Sequence, residues 1–339
     1  MTQRTLDGLD RFPLESPYIE GLKDVDFFRD LLSTPAFDQE SHEELRGFEA
    51  RTLKKHLRKT IIDYTLSFTN STRNYIGIYR ESDERLKNVF TVLKILRANG
   101  FAEDSKLTVP RPILYMPELS FLLMDKADGA LLREIFERKD DPTPYVKGAA
   151  QWLAKLHSSK VRFEGVRSRK DEVDASLRFT RAASWLFPRL KSDIDSISDQ
   201  LIRLQEAHPP RPRRPIHGDY HARNIISSPE LTTVIDLEEA RMGDPAFDLG
   251  YFAAQTKMTH GTGQIITQAT ELFLQEYLEC QQSVPEDFSQ SVAVFEAQTY
   301  FQRIYHTYYL LEEEPNFDQI SDWLKECKWS LQKASAEDP

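Results

Sequence analysis

The stretch from Pro215 to Ile226, PIHGDYHARNII, gathers two histidines, an aspartate, an arginine and an asparagine. Those residue types support two chemistries. In an extended segment His217, Asp219 and His221 would alternate onto one face, as the ligands of a zinc site can. In a loop, Asp219 could act as a general base, and Asn224 could offer an amide carbonyl to magnesium. A hydrolytic zinc site needs further histidine or acidic ligands, and no second histidine-rich motif occurs in the chain.

A second carboxylate-bearing stretch follows, VIDLEEARMGDPAFDLGYF. Asp236 closes the apolar run before it. Asp244, ahead of Pro245, reads as the cap of a helix. Phosphoryl transfer from ATP uses this set: one carboxylate to orient a hydroxyl and take its proton, and hard oxygen ligands for magnesium. Singly, an N-cap, a turn asparagine and a strand-end aspartate are common; their joint spacing carries the functional reading. Glu238 would share the face of Asp236 if the strand continued, and otherwise reads as solvated. His157 reads as a core histidine. Tyr300, Ile304 and Tyr308 fall at helical spacing, which favours core over a cation-binding cage.

Several elements must position these groups. A polar lead-in over residues 1–45 carries one amphipathic helix, YIEGLKDVDFFRDLL. FEARTLKK, DYTLSF and NYIGIYR read as strands of a small antiparallel sheet, with TNSTRN as a turn. DERLKNVFTVLKILRANG reads as a helix closed by Gly100. LTVPRPILYMPELSFLLMDKADG reads as two short strands. The rest is mainly helical, with the PIHGDYHARNII stretch and LTTVIDLEEA paired across the turn SSPE. HPPRPRRP is extended loop with solvated arginines. The expected fold is α+β with two lobes: a small sheet-bearing lobe over 1–121, a hinge at 122–129 and a larger helical lobe over 130–339.

Bulk composition narrows the function classes. The chain has 339 residues, 40% hydrophobic and 29% charged, a globular balance with room for two cores. A net charge of -10 argues against a broad nucleic-acid surface. The two cysteines, Cys280 and Cys327, support neither a disulfide framework nor a zinc finger. MTQRTLDGLDRFPLESPY has no apolar core of a signal peptide, and no apolar run reaches membrane-spanning length. A cytoplasmic protein without nucleic-acid or membrane partners is expected.

HGDYHARN followed by IDLEEARMGDPAFDL resembles the catalytic region of the aminoglycoside phosphotransferase and choline kinase-like superfamily, which shares the protein kinase-like fold. FLLMDKADG resembles its inter-lobe hinge, and AAQWLAKLHSS the helix before its catalytic loop. The resemblance covers roughly residues 48–255 and is strongest over 215–250. It implies an ATP- and magnesium-dependent kinase acting on a hydroxyl of a small molecule. It gives Asp219 the role of catalytic aspartate, Asn224 and Asp236 those of metal ligands, and His221 a place beside the transferred phosphate. His217 and Asp248 would brace the loop, and Leu123, Met124, Asp125 and Lys126 would hold adenine through backbone groups.

The small lobe departs from the family pattern. No lysine occurs in NYIGIYR, so Arg80 is the phosphate-facing candidate on that strand. The basic turn KKHLRK, with Lys54, Lys55, Arg58 and Lys59, is the alternative. Val89 stands where the partner glutamate is expected, with Glu84 a turn earlier. These departures motivate a rival reading, a non-catalytic nucleotide-binding pseudokinase with a regulatory role. A protein kinase is disfavoured, because the segment after IDLEEARMGDP is too short for a peptide-docking loop. The acidic balance leans toward a cationic acceptor such as an amine-bearing sugar or a choline-like alcohol, and the arginines of RPRRP toward an anionic one.

Overall fold

The structure, a computed structural model, describes residues 17–34, 37, 43–56, 59–81, 85–102, 105–138, 141–207, 209, 211–311 and 313–335. Arg58 and Glu84 lie outside these. The chain divides into two compact units, Met1–Lys94 with Pro110–Ala127, and Ile95–Val109 with Asp128–Pro339.

The described chain opens with α1 (Pro17–Leu22) and α2 (Val25–Leu32). The lead-in is thus two helices rather than the single one expected. Asp24 restarts the helix, its side chain accepting from the Asp26 N–H at 2.7 Å. Next come β1 (Leu45–His56), β2 (Lys59–Phe68), β3 (Thr72–Arg80), α3 (Arg85–Ala98), β4 (Leu107–Thr108), β5 (Pro112–Met116) and β6 (Phe121–Asp125). The segment read as two strands therefore holds three, with Pro110 between β4 and β5.

The first unit is built on an antiparallel sheet in the order β1-β2-β3-β6-β5. One face carries Tyr64, Leu66, Tyr75, Phe121 and Leu123 against Phe28 and Phe37. The rings of Phe28 and Tyr64 lie 4.6 Å apart, and Tyr64 Oη donates to Leu22 O at 2.8 Å. Fully burying one such ring is worth about 2 kcal/mol. The opposite face carries the cross-strand pairs Lys59–Arg80, Ile61–Ile78 and Asp63–Ile76. A bulge in β1 between Thr52 and Lys54 sets Lys54 opposite Ile61, and so on this second face.

The second unit contains β7 (Ala130–Leu131), α4 (Leu132–Arg138), α5 (Thr143–Ser158), α6 (Arg169–Leu186) and α7 (Lys191–Ala207). It continues with β8 (Arg214–Ile216), β9 (Ile225–Ser227), β10 (Thr232–Val234) and β11 (Arg241–Gly243). The remaining helices are α8 (Ala246–His260), α9 (Gln264–Cys280), α10 (Phe288–Ile304) and α11 (Phe317–Ser335). Helical periodicity did not reveal α6. Its sequence signal is the capping box: Ser168 Oγ accepts from the Asp171 N–H, and Asp171 Oδ2 accepts from the Ser168 N–H.

Helix α10 runs through the core of this unit and packs beside α8. At Gly250 of α8 a Cβ would lie 2.6 Å from Val292 O and Glu296 N, so only glycine lets the two backbones approach this closely. Tyr300, Ile304 and Tyr308 are buried, as their spacing implied. After Ile304 the helix widens into a π-helical turn, Tyr305–Leu310. The arginines before β8 are not all solvated: Arg211 pairs with Asp287 at 2.7 Å and lies over the Phe288 ring. Among the described residues no helix is long and apolar enough to cross a membrane.

Candidate active site

Two small sheets hold the PIHGDYHARNII stretch in place. β8 enters it and pairs with β11; β9 leaves it and pairs with β10. Between them residues 217–224 form a loop, not a strand, so His217, Asp219 and His221 do not line up as a ligand face. Both ring nitrogens of His217 are committed: Nε2 donates to Ile235 O at 3.0 Å, and Nδ1 accepts from the Asp219 N–H at 3.2 Å. Gly218 makes the turn possible. Its φ is +83°, and a Cβ there would collide with the carbonyl oxygen of Glu239.

Two further residues anchor the loop. Tyr220 is fully buried; its ring stacks on Trp152 at 5.8 Å, and its hydroxyl donates to Ala149 O of α5 at 2.7 Å. Asp248, in the first turn of α8, is also fully buried. It accepts from the His217 N–H at 2.7 Å and the Gly218 N–H at 2.8 Å. His157 Nε2 lies 3.1 Å from the same carboxylate, and its Nδ1 lies 2.9 Å from Tyr277 Oη. Burial pushes the Asp248 carboxyl up, but His157, His217 and the Gly218 N–H outweigh it and hold it below the usual range.

Three residues beyond Asp248 and on the same helix face, Tyr251 reaches Asp219 of the loop. Its hydroxyl donates to Asp219 Oδ1 at 2.7 Å. On the other oxygen, Asn224 Nδ2 donates to Asp219 Oδ2 at 3.2 Å, and His221 Nε2 lies 3.5 Å away. Burial raises the Asp219 carboxyl, yet His221 and Tyr251 bring it down to about 2. Burial, followed by the Asp219 charge, raises the Tyr251 phenol well above its ordinary value, so it remains a donor.

Asp236 is placed differently from its sequence reading. The strand ends at Val234, and Asp236 takes the left-handed conformation with φ +61° and ψ +58°. That conformation is uncommon outside glycine, though aspartate adopts it more readily than most residues. It turns the chain into a short 3₁₀ segment, Leu237–Glu239. Glu238 therefore does not continue the strand face of Asp236. Asp219 and Asp236 both line a cavity of about 1080 Å³, with walls from α6, α8, α10 and the π-helical turn.

The Asn224 amide nitrogen is tied to Asp219, so its carbonyl oxygen and the Asp236 carboxylate are hard oxygen groups of the type that could hold magnesium.

The other nominated residues lie in the first unit. Leu123 and Met124 sit in the inner strand β6, paired with β3 and β5. The N–H groups of Asp125 and Lys126 are already given to Arg111 O at 2.9 Å and Asn74 O at 3.0 Å. The Lys126 ammonium is bonded to both oxygens of Asp63 at 2.9 Å, and Arg51 Nη2 donates to Asp63 Oδ2 at 2.8 Å. Arg80 stands directly across from Lys59. Val89 is buried within α3.

Residues 76–282 match the model of the phosphotransferase enzyme family. The chain belongs to this family. Over 73 residues it is 41% identical to the methylthioribose kinases of Bacillus thuringiensis (strain Al Hakam) and Bacillus cereus (strain 03BB102). That match spans 20% of this chain and 19% of each relative, so the chain matches about a fifth of their length. A solved choline/ethanolamine kinase family protein from Mesorhizobium loti is similar with a TM-score of 0.61 and 14% identity, over 93% of this chain and 95% of that one. The aminoglycoside phosphotransferase APH(4)-Ia, solved with ADP and hygromycin B, gives a TM-score of 0.59 at 14% identity, over 86% of this chain and 95% of that one. At such identity these structures speak to the fold, and the expected α+β kinase-like class holds for this phosphotransferase family member.

Sequence reading did not find Tyr251, which follows Asp248 by one helical turn in DLGYF and had a legible signal in that spacing. It also passed over Arg178, Arg223, Arg303 and His306 on the cavity wall. Arg178 was hidden with α6, and Arg303 and His306 within an aromatic run that reads as core.

Proposed function

We propose that this protein transfers the γ-phosphoryl group of ATP, in the presence of magnesium, to a hydroxyl of a small molecule bound in the cavity before Asp219. The observation that carries this reading is the shared cavity: Asp219, fixed by Tyr251, and Asp236 face one space, with Asn224 bonded to Asp219.

In this reading Asp219 aligns the acceptor hydroxyl with the phosphorus. The acceptor O–P bond forms as the bond between the γ-phosphorus and the β-bridging oxygen breaks, ADP leaves, and the hydroxyl proton passes to Asp219 Oδ2. A carboxyl held at about 2 is a weak base, so its main contribution is orientation, with the proton moving late as the oxygen becomes acidic. Asn224 and Asp236 would hold magnesium, which would supply positive charge against the phosphates. His221, 3.5 Å from the Asp219 carboxylate, contacts the transferred group.

Lys59 and Arg80, cross-strand neighbours on one sheet face with Lys54, serve the nucleotide phosphates in place of a strand lysine. Adenine is assigned to the Leu123–Lys126 segment. With the N–H groups of Asp125 and Lys126 already taken, that segment offers carbonyls, and the Ala127 N–H is the next donor along the chain.

The test is acceptor-dependent ADP release over a panel of hydroxyl compounds, with magnesium varied. Turnover that requires magnesium, and an Asp236→Ala change that removes it while the fold is kept, is the expected result. Tight ATP binding without transfer to any acceptor would instead support a regulatory nucleotide-binding protein.

A further inference from the structure

The cavity wall carries more guanidinium charge than its carboxylates neutralise by pairing. Arg167 pairs with the buried Glu172 at 2.6 Å, and Arg241 with Glu239 at 2.7 Å. Among the described residues Arg178, Arg223 and Arg303, which also line the cavity, are in no ion pair. They come from three separate elements: α6, the catalytic loop and α10.

Two of them, Arg303 and Arg178, act on one further side chain of the wall. Burial, then Arg303, depress His306, with a smaller part from Arg178. Gathering like charges costs stability unless something of opposite sign occupies the space. Asp171, Asp174, Asp219, Asp236, Glu238 and Glu239 also line the cavity, but among the described residues none of them is ion-paired with Arg178, Arg223 or Arg303; Asp171 is held in the capping box and Glu239 pairs with Arg241.

We infer that Arg178, Arg223 and Arg303 form an anion-binding subsite before Asp219, and that the phosphate acceptor is a small alcohol bearing a phosphate or carboxylate group. The identification rests on the kinase reading for the word acceptor, but the subsite itself does not. Guanidinium forks match the paired oxygens of either anion, and one anchored end would present a hydroxyl to Asp219. The π-helical turn that presents His306 widens α10 at this wall, and such turns often occur where a helix serves a ligand.

Two measurements test this. The first compares kcat/KM for matched compounds: glycerol 3-phosphate and glucose 6-phosphate, glycerate and gluconate, the neutral glycerol and glucose, and the amines glucosamine and choline. One anionic set is expected to exceed its neutral parents by at least about tenfold, and whether phosphates or carboxylates lead identifies the group. In Arg178→Ala/Arg303→Ala that preference is lost. Equal or better turnover of neutral or amine-bearing compounds overturns the inference, as does a preference that survives the double change.

The second measurement is calorimetric binding of inorganic phosphate with ADP and magnesium present. Affinity should fall at least about tenfold in the double variant and persist in Asp219→Asn. Affinity unaltered by the double change overturns the subsite. Absence of turnover alongside Arg178- and Arg303-dependent phosphate binding rejects the kinase reading while retaining the subsite. Nucleotide binding and melting temperature of the double variant establish that it is folded.

Discussion

Tyr251 Oη donates a 2.7 Å hydrogen bond to Asp219 Oδ1, joining the first turns of α8 to the 217–224 loop across 32 residues of sequence. With Asn224 on Oδ2, the bond fixes the orientation of the carboxylate, which in the proposed reaction faces the acceptor. Tyr251→Phe removes the hydroxyl and keeps the ring between Phe247 and His221. A hydrogen bond to a charged group contributes about 1.5–3 kcal/mol, so kcat should fall roughly tenfold or more. The KM for ATP should change little. Steady-state kinetics with acceptor and ATP varied separately check both.

Asp248 is the loop's mechanical support, and its removal should register as lost stability. It accepts two backbone N–H groups and faces His157, all without exposure to water. Asp248→Ala leaves these groups unpaired in the interior, which costs about 3–5 kcal/mol. Urea unfolding followed by circular dichroism should show the midpoint falling with the slope unaltered.

At Gly218 the constraint is backbone geometry. With φ at +83° and Glu239 O in the way of a Cβ, Gly218→Ala must displace the turn that carries Asp219. Strain of about 1–3 kcal/mol is expected, with turnover lost out of proportion to the drop in melting temperature. Nucleotide binding should persist.

Acid sensitivity should appear in the first unit. Burial raises the Asp63 carboxyl, but hydrogen bonds and charge from Lys126 and Arg51 more than offset this, and its folded pKa lies below the unfolded one. A depressed carboxylate contributes stability that is present above the unfolded value of about 4 and is lost as pH falls through the folded value. The melting temperature of the wild type should therefore decline as pH drops below about 4. Asp63→Asn should start lower at neutral pH and decline less.

How far the sequence was legible follows from what kind of signal each residue leaves. Asp219, Asn224 and Asp236 lie in two short blocks with fixed spacing, and the fold places them around one cavity or in contact with one another. β2, β3 and α3 were visible because alternation and helical periodicity are local. Asp24 cut the lead-in helix in two through a cap that periodicity does not register. The end of β10 at Val234 escaped because Ile235 prolongs the apolar run while Asp236 turns left-handed. Arg178 and Arg303 share no local pattern; only the packing of α6 and α10 brings them to one wall. The pairing of Asp63 with Lys126 spans 63 residues and depends on strand order, which no single stretch of sequence encodes.

The central claim is tested most directly by single-turnover transfer of the γ-phosphoryl group from ATP to a hydroxyl acceptor, comparing wild type with Asp219→Asn. The amide keeps the shape of the side chain and removes its charge and its capacity to take a proton. The account predicts a loss of at least about 10²-fold in the transfer rate, with ATP and magnesium still bound. Transfer at the wild-type rate by Asp219→Asn would contradict it.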